Sequence, residues 1–142
     1  MKLFETIGIV YLIFAISVII HEISHYVYAR IKKIKVYNVC IGEEFLSIRI
    51  CGLRISPLIL CGYVEFDTQS VISKSKKEII ILFLSGSIAN LILIIIASCL
   101  IPVFVYSLHV IAVNISAILF NTLPIKFIKN DMYELKNALK YK

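Results

Sequence analysis

An almost unbroken apolar run starts at Phe4 and carries His21-Glu22-Ile23-Ser24-His25 near its end. A run of this length can cross a bilayer as a helix, and an ionisable group at the centre of such a helix costs roughly 2.5–3.5 kcal/mol on insertion scales. Three such side chains within five residues need a compensating role. Residues four apart share a helix face, so His21 and His25 can hold one metal ion between them. Glu22 lies about 100° further round the turn, beside that ion, where it can take a proton from a water. Two imidazoles, one more ligand and one open position suit a single zinc ion, Zn2+, best. The competing reading is a metal-free network tying these side chains to neighbouring helices, and such a network has no need of this spacing.

The rest of the composition agrees with a membrane setting. Hydrophobic residues make up 60% of the 142, and the mean hydropathy is +0.93. Soluble domains are about 45–50% apolar. The expected fold is mainly α: one membrane domain over residues 1–142, with three transmembrane helices and a membrane-associated β-hairpin region between the first two. The spans fall at about 4–28, 78–99 and 103–123, and the β region at about 35–66.

The net charge of +6 is clustered. Arg30, Lys32, Lys33 and Lys35 follow the first apolar run, Lys74, Lys76 and Lys77 precede the second, and Lys126, Lys129, Lys136, Lys140 and Lys142 follow the third. By the positive-inside rule these clusters are cytoplasmic, which puts the N-terminus outside and the C-terminus and β region inside. Topology alone accounts for the clusters, so the lipid bilayer is the expected partner and nucleic acid is not. Small size and simple topology point to a bacterial plasma membrane. The first run is longer than a signal-peptide core and lacks a small-residue cleavage site, so it reads as a span. Cys40, Cys51 and Cys61 fall in the cytoplasmic segment, where thiols stay reduced, and with Cys99 they read as packing residues.

Between residues 35 and 66 short apolar–polar alternations are punctuated by Gly42, Gly52, Pro57 and Gly62, which predicts β-strands. Leu58-Ile59-Leu60 is too apolar for water, so the segment is expected to dip against the membrane beside the helices. An edge strand there can hold an extended peptide by adding it to the sheet; the alternative is a hairpin that only caps the helices. Asp67 to Lys77 reads as a polar connector. In the second span Asn90 can bond a substrate carbonyl or steady an oxyanion, or can serve as an interhelical bond. His109 falls near the outer end of the third span, away from the other histidines, and reads as interfacial. For the third metal ligand Asp131 lies past the third span on the same side as His25. Glu43, Glu44, Glu65 and Asp67 compete, and position alone leaves them open. Residues 132–142 predict a short surface helix with Leu135, Ala138 and Leu139 on one face.

Four stretches, taken together and in order, resemble the site-2 protease (M50) family of intramembrane zinc metalloproteases. They are His21-Glu22-Ile23-Ser24-His25; Ser56-Pro57-Leu58-Ile59-Leu60-Cys61-Gly62-Tyr63-Val64, similar to "P-L-G-G-Y-V" with Cys61 for one glycine; Ser85-Gly86-Ser87-Ile88-Ala89-Asn90, similar to "G-P-x-x-N"; and Asn121-Thr122-Leu123-Pro124 with Asp131, similar to "N-x-x-P" followed by "D-G". The resemblance implies a three-helix catalytic core with a membrane-embedded β region. It implies that His21, His25 and Asp131 bind zinc, that Glu22 is the catalytic acid/base, and that Asn90 sits in the active site. The implied activity is hydrolysis of a peptide bond in a transmembrane or membrane-associated peptide, with no PDZ-like domain filtering substrates. Ser87 and Met132 depart from the family pattern, and the gap from Pro124 to Asp131 is about two residues long for it. The alternatives are a non-catalytic accessory or immunity protein of the same fold, and a metal or proton transporter.

Overall fold

The computed structural model describes residues 3–50, 52–100, 104–123 and 130–142. In chain order these form α1 (Leu3–Ile31), β1 (Val36–Ile41), a 3-10 turn at Glu44–Leu46, β2 (Ile48–Ile50), β3 (Leu53–Ile55), β4 (Gly62–Phe66), α2 (Thr68–Ile72), α3 (Lys76–Leu100), α4 (Phe104–Thr122) and α5 (Asp131–Lys140). Three of the helices are long and apolar enough to cross a membrane: α1, α3 and α4. The chain is therefore a mainly α membrane protein with a small sheet between its first two spans, as its apolar periodicity predicts.

The spans are inside out by the standards of a soluble helix. On α1 the buried side chains are Ala15, Ser17, His21, Glu22, His25 and Ala29, while Phe4, Leu12, Ile16, Ile23 and Val27 stay exposed. On α3 Gly86, Ser87, Asn90 and Ala97 turn inward, and Ile88, Leu91, Ile92 and Ile95 turn out. Lipid accepts the aliphatic face at no cost, and small inward residues let the backbones approach. α3 starts at a capping box: Glu78 N–H donates to Ser75 Oγ at 3.3 Å, and Ser75 N–H donates to Glu78 Oε2 at 3.0 Å.

The sheet runs in the order β2-β3-β1-β4. β2 and β3 form an antiparallel hairpin turning through Gly52 at φ +86°. β4 lies antiparallel to β1, with Cys40 opposite Tyr63, and β3 lies parallel to β1, with Cys40 opposite Arg54. The expected hairpin is thus one half of a mixed four-stranded sheet. Alternation marks strands but does not name their partners, which depend here on the excursion from Gly42 to Cys61. Gly42 sits at φ +91° where an added Cβ would meet Leu58 O at 2.6 Å, so the return path of that excursion needs glycine.

The loop between β3 and β4 climbs α1. The Tyr11 hydroxyl donates to Pro57 O at 3.3 Å and accepts from Ile59 N–H at 3.1 Å. Tyr11 precedes His21 by about 15 Å along the helix axis. The apolar Leu58-Ile59-Leu60 stretch therefore lies alongside the N-terminal half of a span, with backbone groups satisfied by a side chain as hydrocarbon requires.

The main apolar core gathers the C-terminal end of α1, the start of α3 and two short helices: Ala29, Ile34, Val71, Ile79, Leu82, Phe83 and Leu135 are all buried together. Two expectations change here. Residues 67–77 are more than a connector, since α2 buries Val71 in this core. The apolar face of α5 packs on protein rather than on a membrane surface, with Leu135 buried and Ala138 and Leu139 against the same cluster. Among the cysteines only Cys40 packs as expected: Cys61 and Cys99 are exposed, and Cys51 lies outside the described residues. Pro102 and Pro124 are also outside them.

Candidate active site

α1 presents His21 and His25 one turn apart, and α5 brings Asp131 against them. Asp131 Oδ2 lies 2.9 Å from His21 Nε2 and 3.3 Å from His25 Nε2, and the two Nε2 atoms are 3.2 Å apart. Zinc holds ligands at about 2.0–2.1 Å in a tetrahedron, which sets neighbouring ligand atoms about 3.3 Å apart. The three atoms thus already form one face of a tetrahedron of the right size. Burial works to raise the Asp131 carboxyl, and the two imidazoles bonded to it outweigh that and hold it at about 2. The carboxylate is therefore ionised at neutral pH, which is the form that ligates.

α3 sets the two rings from behind. His25 Nδ1 lies 2.8 Å from Leu82 O and 3.0 Å from Ser85 Oγ. A carbonyl can only accept, so Nδ1 carries a proton, and a neutral His25 then has its Nε2 lone pair available to a metal. Asn90 is buried with its amide 3.3 Å from His21 Nδ1, and its Oδ1 lacks a partner. Half a turn of the amide seats that oxygen on the ring and fixes His21 in the same tautomer, with Nε2 free. Asn90 is thus behind His21, on the side away from Asp131. Asn121 of α4 reaches the front, its Nδ2 3.4 Å from His21 Nε2.

Two glycines make room for His21 and Glu22. A Cβ on Gly86 would stand 2.5 Å from the His21 ring, and one on Gly62 would stand 2.5 Å from Glu22 Cγ. Glu22 is buried, and it faces the cavities on either side of the histidines. One, of about 770 Å³, is walled mainly by apolar residues of α1 and α4, among them Phe14, Val18, Val113, Ala117 and Phe120, and by Leu60 and Cys61. The other, of about 110 Å³, lies between β4 and α5 and includes Tyr63, Val64, Asp131 and Glu134.

The sequence profile described as peptidase family M50 matches residues 9–139. The chain belongs to peptidase family M50. A protein of Borreliella burgdorferi named "Putative zinc metalloprotease" is 29% identical over 112 residues, which is 63% of this chain and 25% of that protein. The chain thus spans about a quarter of the length of that relative. Zinc is the metal that M50 membership implies, and the donor set fits it: among the described residues His21, His25 and Asp131 are the group of potential ligands whose ligating atoms gather within 4.8 Å.

The competing carboxylates of this M50 chain are engaged elsewhere or turned away. Asp67 caps α2, accepting from Ser70 N–H at 2.8 Å, and Glu44 pairs with Arg54. Glu43 takes the Cys61 thiol at 3.7 Å, and Glu65 points outward on β4. His109 stays on its own helix, 2.5 Å from Val105 O. Reading the sequence alone gave no role to Asn121, Ser85, Tyr11 or Asn130. Asn121 and Ser85 stood in quoted motifs and could have been raised, whereas Tyr11 and Asn130 act through tertiary neighbours.

Proposed function

We propose that this chain is an intramembrane zinc metalloendopeptidase, cutting a peptide bond in a transmembrane or membrane-associated peptide. The observation that carries the reading is the face formed by His21 Nε2, His25 Nε2 and Asp131 Oδ2, with edges of 2.9–3.3 Å, beside the buried Glu22. His21, His25 and Asp131 would hold the metal. Zinc bound there supplies a Lewis acid and lowers the pKa of a water from 15.7 to about 7. Glu22 takes the proton of the attacking water and passes it to the leaving amine. For Asn90, an oxyanion donor or an interhelical bond by its sequence, the contact with His21 Nδ1 is interhelical and suits holding the ring. Asn121, near Nε2, is better placed to donate to the developing oxyanion.

The substrate would enter extended, since the carbonyls of an intact helix are already bonded. β4 is an edge strand, and its residues Gly62, Tyr63 and Val64 flank the site, which supports strand addition as the way it is held. The larger cavity would take apolar side chains. Basic clusters after α1 and before α3 support a topology with the N-terminus outside and the C-terminus and sheet in the cytoplasm; small size and simple topology favour a bacterial plasma membrane.

Metal removal tests this reading. Protein purified in detergent should contain one zinc per chain and cleave membrane peptides. Chelation should abolish cleavage, and added zinc should restore it. A folded, metal-free protein that takes up no zinc would overturn the proposal.

A further inference from the structure

Asn130 immediately precedes the ligand on α5, is buried, and uses its whole amide. Its Oδ1 accepts the Tyr133 N–H at 3.0 Å, which makes it the N-cap of α5. Its Nδ2 donates to Phe120 O at 2.7 Å and Leu123 O at 2.5 Å, at the far end of α4. Both sets of backbone groups are the ones that helix ends leave unpaired. One side chain therefore ties the end of α4 to the start of α5.

We infer that Asn130 is the positioning residue of the third ligand, a brace that fixes Asp131 against the histidines from α4. The next residue after the brace is Asp131 itself, the first of α5. Its Oδ2 must stand within about 3 Å of two rings carried by α1. Asn121, which faces His21 Nε2, sits in the last turn of α4 beside Phe120. The brace thus sets the ligand from α5 and the amide from α4 in one frame. An N-cap alone would not need asparagine. Serine caps a helix as well, but its single short hydroxyl cannot accept from one helix and donate twice to the other. The inference rests on Asp131 being the third ligand.

The test is zinc affinity of the full chain in detergent, measured by competition with a chelator, for wild type, Asn130→Ser, Asp131→Ala and the double variant. Thermal unfolding selects folded samples. Asn130→Asp, which keeps the shape and removes the donors, stands in if the serine variant does not fold. Asn130→Ser should bind zinc about 10–100-fold more weakly, as loss of an outer-shell partner does. In the Asp131→Ala background it should change affinity by less than about 2-fold, because the brace acts through Asp131. Wild-type affinity in Asn130→Ser, with affinity lost in Asp131→Ala, would overturn the brace and leave the ligand in place. Fully additive losses would show that Asn130 acts elsewhere. Unchanged affinity in Asp131→Ala would instead sink the ligand reading beneath it.

Discussion

The His21 ring is held from every side. Asn90 meets its Nδ1, Asp131 and His25 meet its Nε2, and the Gly86 backbone lies against its edge. A methyl at position 86 cannot fit without moving the ring, and a ligand misplaced by 1 Å is no longer a ligand at zinc distances. Gly86→Ala should lower zinc affinity by at least about 10-fold, read by chelator competition. Gly62→Ala should act differently, because its Cβ would displace Glu22 and leave the ligands alone. We expect full zinc content with cleavage reduced by about 100-fold, the order of loss for a misplaced catalytic group. Equal effects of the two alanines on zinc would contradict this division of labour.

At the scale of elements, Tyr11 fastens the loop between β3 and β4 to α1, and Ser75 with Glu78 starts α3. Tyr11→Phe leaves Pro57 O and Ile59 N–H without their partner and should cost about 1–2 kcal/mol in detergent unfolding. Faster hydrogen exchange at residues 58–60 should accompany the loss. Ser75→Ala should cost about 1 kcal/mol by the same measurement, with no change in zinc affinity. These two devices differ in how they could be read. Ser75-Lys76-Lys77-Glu78 is a local capping pattern ahead of an apolar run, visible in the sequence. Tyr11 is one tyrosine in an apolar helix, and its partners lie 46 and 48 residues away. The same split runs through the site. His21, Glu22 and His25 are legible because helical spacing alone puts them together. Asp131 is 110 residues from His21, so position left four other carboxylates open until the fold gave Asp67, Glu43 and Glu44 other partners and turned Glu65 outward. Asn130 looks like a loop residue until both helix ends are seen beside it. The sheet was legible as strands but not as a mixed order, since no local pattern specifies the parallel β1–β3 pair.

For the molecule as a whole, α1, α3, α4 and α5 gather a polar cluster within mostly apolar helices, and β4 lies beside it. Ionisable groups in such a place are retained for function. Proton transfer by Glu22, at a metal held by His21, His25 and Asp131, would be the step on which activity depends. It is tested most directly by comparing cleavage of one membrane-embedded peptide by wild type and Glu22→Gln at equal, stoichiometric zinc. Glutamine keeps the size of the side chain and cannot take a proton, and losing the general base should cost at least about 10²–10⁴-fold in rate. With both proteins fully loaded, wild type should cleave and Glu22→Gln should show a loss of that size. Undiminished cleavage by a zinc-loaded Glu22→Gln protein would contradict it.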